Sequence, residues 1–155
     1  ERLGKGRWVA AMTAGNVYLV PAFLAQPAAA RDAALDAAAQ ALRMITNVAA
    51  AGRVDRACTE RGELSHAVCL STFPAESGEL YVVPVAGSLI SDYKTGTHHD
   101  APFADNRNVP IVVMGPGISP REGKGTLLQV APTVTSLLGV PAPRATSERP
   151  LFDLP

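Results

Sequence analysis

A chain of 155 residues is long enough for one domain with a proper core and too short for two ordinary ones. Its 14 basic residues balance its 14 acidic ones, and no Lys/Arg run forms a stripe, which argues against nucleic acid or an anionic membrane surface as partner. No segment reaches the roughly 18–20 continuous apolar residues that span a bilayer. The charged opening, Glu1 to Arg7, runs straight into a strand-like segment and is not a signal peptide. It reads instead as the end of a helix followed by a turn, so the expectation is a chain that begins inside a larger protein.

Taken in order, Trp8–Met12 is a short apolar run after a Gly-Lys-Gly turn and predicts a buried strand. Val17–Val20, closed by Pro21, predicts a second. From Ala28 to Asn47 the period changes. Pro27 suits a helix start, alanine favours helix, and Leu35, Ala38, Leu42 and Ile45 recur at three- and four-residue spacing. Val48 to Leu64 reads as a polar connector. Ala67–Thr72 and Glu79–Val85 are strand-like runs joined by Pro74-Ala-Glu-Ser-Gly78 and predict a hairpin, with Pro84 near a sheet edge or strand end.

The polar, glycine-broken loop from Tyr93 carries His98 and His99, then leads into Val109–Met114, the strongest strand pattern in the chain, which Gly115-Pro-Gly117 stops. A ligand-bearing loop beside a buried strand is a common place for chemistry in α/β proteins. Ala131–Gly139 predicts a two-turn helix with Pro132 at its first helical position, Val134, Leu137 and Leu138 on its inner side, and Gly139 as a left-handed cap. The last residues, 143–155, read as a surface tail.

Adjacent residues of an extended loop point to opposite sides, so His98 and His99 cannot both face one ion easily; each is open to metal ligation or to bracing the loop. Asp100 and Asp105 could orient an imidazole or stand as plain loop carboxylates, the latter favoured for Asp105. Arg107 reads as a surface ion pair and His66 as structural. Ser88, Ser91, Thr95 and Thr97 offer hydroxyls, none with an activating base in view. Cys58 and Cys69, 11 positions apart, are either two independent thiols, one on a loop and one in a strand, or one disulfide that places the protein outside the cytoplasm.

Gly96-Thr-His-His-Asp-Ala-Pro-Phe103, Arg107-Asn-Val-Pro-Ile-Val-Val-Met-Gly-Pro-Gly117, Gln129-Val-Ala-Pro-Thr-Val-Thr-Ser-Leu-Leu-Gly-Val-Pro141 and Ser77-Gly-Glu-Leu-Tyr-Val-Val-Pro84 occur in the order seen in the C-terminal part of the alkaline phosphatase superfamily. The chain resembles its type I phosphodiesterase and phosphate-irrepressible phosphatase branch over most of residues 3–142. The resemblance implies an α/β fold, part of an alkaline-phosphatase-like sandwich, with a central sheet containing Trp8–Met12 and Val109–Met114, flanking helices and an accessory hairpin. It implies hydrolysis of phosphate mono- or diesters through a phospho-enzyme, on a site of two zinc ions. His99 takes the place of the late metal-ligating histidine, with His98 and Asp100 beside it in supporting positions.

The chain departs from the family where Thr13-Ala14 is followed by Gly15-Asn-Val17 in place of an Asp-His ligand pair, and at Gln129 in place of Asp. The nucleophile and early ligands belong to an N-terminal half that this sequence lacks. The expected partners are therefore a small phosphate ester and either that half or a complementary chain, in a periplasmic or secreted protein. Alone, this chain is expected to have little or no phosphatase activity. The competing expectation is a non-catalytic pseudoenzyme or interaction module that keeps the scaffold.

Overall fold

The computed structural model describes residues 4–73, 75–91, 93–95, 99 and 101–152. The chain falls into two compact units, Glu1–Asn108 and Val109–Pro155.

The first unit is mixed α/β. Four antiparallel strands, β1 (Val9–Thr13), β2 (Asn16–Leu19), β3 (Val48–Arg53) and β4 (Leu80–Pro84), lie in the order β1-β2-β4-β3. Between β1 and β2 the chain reverses through Ala14 and Gly15, both at positive φ (46° and 77°), with Thr13 paired to Asn16. This is the backbone of a two-residue type I′ hairpin, whose twist matches that of its strands. Gly15 is required for space as well as for φ, because a Cβ there would run into the Val82 carbonyl oxygen.

β4 is the centre of the unit. Leu80 to Val83 are all buried, because both faces of this strand are covered. Leu80 and Val82 join Val17, Phe23, Leu35, Ala39 and Ala51 in one cluster, which includes the short α1 (Pro21–Leu24) and the stripe of α2 (Ala28–Arg43). Tyr81 and Val83 point the other way, into a second cluster with Val54 and Ala57, covered by Leu64, Val68 and Cys69 of α3 (Glu63–Ser71) and by Phe103. Alternation along one strand thus builds two cores. α2 keeps the predicted helix and its Pro27 start but stops at Arg43, and Ile45 lies beyond it, exposed.

Three expectations are corrected in this unit. Ala67–Thr72 is not a strand: it falls largely in α3, so the predicted hairpin does not form, and β4 pairs instead with β2 and β3. The apolar and β-branched residues of this stretch serve a helix because only their helical spacing presents Leu64 and Val68 together to Tyr81. Val48–Arg53, within the predicted connector, is a strand made of alanine and glycine, residues with little β-preference that are held by pairing and burial. Finally, the strand at Trp8–Met12 exists, shifted by one residue, but as an exposed sheet edge and not as a buried strand.

In the second unit, Val109–Met114 forms no strand. Ile111 and Val113 are half-buried, whereas Val112 is 79% and Met114 86% exposed. β-propensity needs a neighbour to take the backbone N–H and C=O groups, and no described segment pairs with this one. A 3₁₀ turn (Leu127–Gln129) leads into α5 (Val130–Leu137), with Gly139 at φ 65° as the predicted left-handed cap. The inward side of α5 is Pro132 and Thr133; Val134 and Leu138 are exposed, contrary to expectation. The Thr133 hydroxyl donates to the Gln129 carbonyl (2.6 Å) and accepts from the Leu151 N–H (2.8 Å), pinning the end of the tail to the helix.

Candidate functional site

Of the predicted site residues, His98 and Asp100 lie outside the described residues, as do Gly96 and Thr97. His99 is described and exposed. Immediately after it the chain is tied down. Ala101 is buried, Phe103 packs on the Tyr81 cluster, and α4 (Ala104–Arg107) follows. Arg107 donates from Nη2 to Glu63 Oε1 of α3 at 3.0 Å, the surface ion pair predicted for it. Asp105 sits on α4 as an exposed carboxylate. Among the described residues, the segment after His99 is held at the buried Ala101, at Phe103 and at the Arg107–Glu63 pair.

Zinc sites in proteins use three or four side-chain ligands. Among the described residues no group of three or more His, Cys, Asp or Glu could hold a metal ion. His99 supplies one imidazole, and the described residues add no further ligands to complete a zinc site with it. At Gly15-Asn16, where the resemblance would place an Asp-His pair, the backbone completes a tight turn into β2, and the Val82 N–H donates to the Gly15 carbonyl at 2.7 Å. Gln129, the other departure, has a structural task. Its Oε1 accepts from the Thr126 N–H at 3.0 Å in a capping box that starts the turn before α5.

The predicted hydroxyls are scattered. Ser91 Oγ accepts from the Tyr93 N–H at 3.0 Å, and Thr95 is exposed. Ser88 lines an open cleft of about 360 Å³ together with Thr46, Asn47, Pro84, Leu89 and Ile90, which offers neutral hydroxyl and amide groups and no charge. Such a lining can position a small molecule and cannot activate a nucleophile.

The two polar clusters with the clearest electrostatics lie elsewhere. Tyr81 Oη donates to Glu60 Oε2 at 2.9 Å, and the Ser65 hydroxyl lies 3.2 Å from Tyr81 Oη and 3.3 Å from Glu60 Oε2. Burial raises the Tyr81 pKa, the bond from Ser65 works against that, and Glu60 adds to it. The phenol is a protonated brace between β4 and the segment entering α3. On the opposite side of the sheet, Arg53 at the end of β3 is buried and meets Asp55 (2.6 Å), Asp32 (2.8 Å) and Asp36 (3.3 Å). Hydrogen bonding to Asp55 raises the Arg53 pKa above its ordinary value, burial opposes this, and Asp32 and Asp36 reinforce it; the same bond lowers the Asp55 pKa. Neither cluster was identified in the sequence. Asp32 and Asp36, one helical turn apart, were the available signal for the second, and the first joins positions 16 and 21 apart with no local pattern.

Cys58 and Cys69 form a disulfide, joining an exposed turn to the later part of α3, a helix where a strand had been predicted. No helix among the described residues is long and apolar enough to cross a membrane. Compared with protein-family models, curated proteins and solved structures, the chain matches none.

Proposed function

We propose that this chain is a portion of a metal-dependent phosphoric ester hydrolase of the alkaline phosphatase type, to which it contributes the late histidine ligand, His99. The observation that carries the reading is the ordered succession of Ser77–Pro84, Gly96–Phe103, Arg107–Gly117 and Gln129–Pro141. An exposed His99, two residues before the anchored Ala101–Arg107 segment, suits a ligand of a site completed by other polypeptide. The described donors do not complete a zinc site, so no catalytic step is assigned to this chain. A periplasmic or secreted setting accords with the Cys58–Cys69 bridge.

The test is the mass, metal content and turnover of the protein from its natural source. The reading expects a mass well above 16.1 kDa, or a tightly bound second polypeptide, together with two zinc ions and p-nitrophenyl phosphate hydrolysis. Metal and turnover should fall together in His99→Ala. A 16.1 kDa protein without zinc or turnover overturns it. That outcome supports the second reading, a non-catalytic scaffold or interaction module, which the tight turn through Gly15-Asn16, at the place of the family's Asp-His pair, favours.

A further inference from the structure

Besides its disulfide, α3 is held by partly buried apolar contacts, the Ser65 bonds to Tyr81 and Glu60, and the Glu63–Arg107 pair. It has nine residues, below the roughly 12–15 at which an isolated helix becomes even marginally stable. Its N-cap, Gly62, provides no side-chain hydrogen bond, and Ser65 is its one buried residue. Leu64, Val68 and Cys69 are only partly buried against the Tyr81 cluster. The Cys58–Cys69 bond closes the turn leading into the helix onto the helix itself. Cys58 is an exposed residue, whereas Cys69 is half-buried, so Cys58 is the side of the bridge from which a reductant would approach.

α3 is also the support for the residues that follow His99. Phe103 packs against the same cluster as Leu64 and Val68, and Arg107 pairs with Glu63 in the first turn of α3. One anchor, Arg107 on Glu63, is thus made on the helix that the disulfide holds, and the other, Phe103, rests on the cluster that this helix covers.

We propose that the Cys58–Cys69 disulfide is a reducible clasp whose opening releases α3 and, through Phe103 and the Glu63–Arg107 pair, loosens residues 101–108 beside His99. In the chemical step a thiolate of a dithiol reductant attacks Sγ of Cys58, and Cys69 leaves as a thiolate. The reductant's second thiol then displaces Cys58, so the dithiol becomes a disulfide while both cysteines gain a proton and the protein takes up two electrons. The clasp is a property of the fold and does not depend on whether His99 binds a metal.

Hydrogen exchange of the full chain, oxidised and after reduction by dithiothreitol, tests it, with the redox state checked by mass. Closing a loop of this length corresponds to about a hundredfold in the opening equilibrium. Reduction is expected to speed exchange of the α3 amides on that order and of the 101–108 amides at least about tenfold, with the β3–β4 ladder unchanged and re-oxidation restoring both. The Cys58→Ser, Cys69→Ser double variant should match the reduced protein. Arg107→Gln in the oxidised protein should loosen 101–108 and leave α3 protected. Unchanged exchange in both segments, a response confined to α3, or loss of protection across β3–β4 at the same rate each overturns the proposal.

Discussion

Gly52 and Tyr81 face each other across the β3–β4 ladder, and a methyl group on Gly52 would lie 2.8 Å from the Tyr81 ring and hydroxyl. The missing side chain is what lets a tyrosine occupy the second core and reach Glu60 and Ser65. Gly52→Ala forces either the ring or the strand to move, and overpacking of this kind costs about 1–3 kcal/mol. Urea denaturation of the variant should show a loss in that range. Stability within about 0.5 kcal/mol of the parent, the ordinary surface-substitution effect, would mean that the ring relocates freely.

Alkaline pH should weaken the same contact. Tyr81 has a folded-state pKa above its ordinary value of 10.0, chiefly through burial. The folded chain therefore keeps a proton that the unfolded chain loses. The stability this contributes is complete below about pH 10 and is lost as pH rises through the folded pKa. Tyr81→Phe removes the titration along with the bonds to Ser65 and Glu60. Its unfolding free energy should be lower at pH 8 but flatter between pH 8 and 11, and an equal slope in both proteins would refute the assignment.

At acid pH the Arg53 cluster takes over. Asp55 is held below its ordinary 3.8 by the Arg53 guanidinium, so its contribution is present above about pH 4 and is lost as pH falls through the lowered folded value. Asp55→Asn should lose less stability than the parent on acidification from pH 5 to 2. Arg53→Met takes the cation from all three carboxylates. These stay about half exposed (53%, 48% and 61%) and keep their water, so the cost should be about 1–2 kcal/mol and not the full penalty of stranding a buried charge. A loss above about 4 kcal/mol would show that the guanidinium stem carries the packing of α2 on the sheet.

Ala14 sits at φ 46°, a conformation that an alanine adopts at a cost and that asparagine tolerates better. Asn-Gly is the preferred pair for a type I′ hairpin. Ala14→Asn at this exposed position should therefore stabilise by about 0.5–1 kcal/mol, the usual scale for turn optimisation. Ala14→Val, with a branched side chain at positive φ, should destabilise. Thermal unfolding of the two variants in opposite directions is the expected result, and a shift in the same direction would count against the turn assignment.

The parts of the fold that could be read from sequence are those whose cause is local. The Pro27 start and alanine-rich stripe of α2, the runs that became β2 and β4, and the glycine cap at Gly139 all follow from residue-level preferences that hold in any context. That His99 lies in a polar, glycine-broken loop was legible in the same way. Its surroundings were not, because Glu63, Tyr81 and Phe103 come together only when α3 is laid across β4.

By itself, then, the sequence determined where helices and turns are cheap, that the charge is balanced, and which motifs stand in which order. Tertiary structure alone decided that Ala67–Thr72 is helical, that Val48–Arg53 is a strand despite its alanines, and that Val109–Met114, the best strand pattern of all, is not one. The physical reason is the same in each case. A strand is stable only through a neighbour's backbone and a helix face only through the surface it covers, and neither neighbour nor surface is adjacent in sequence.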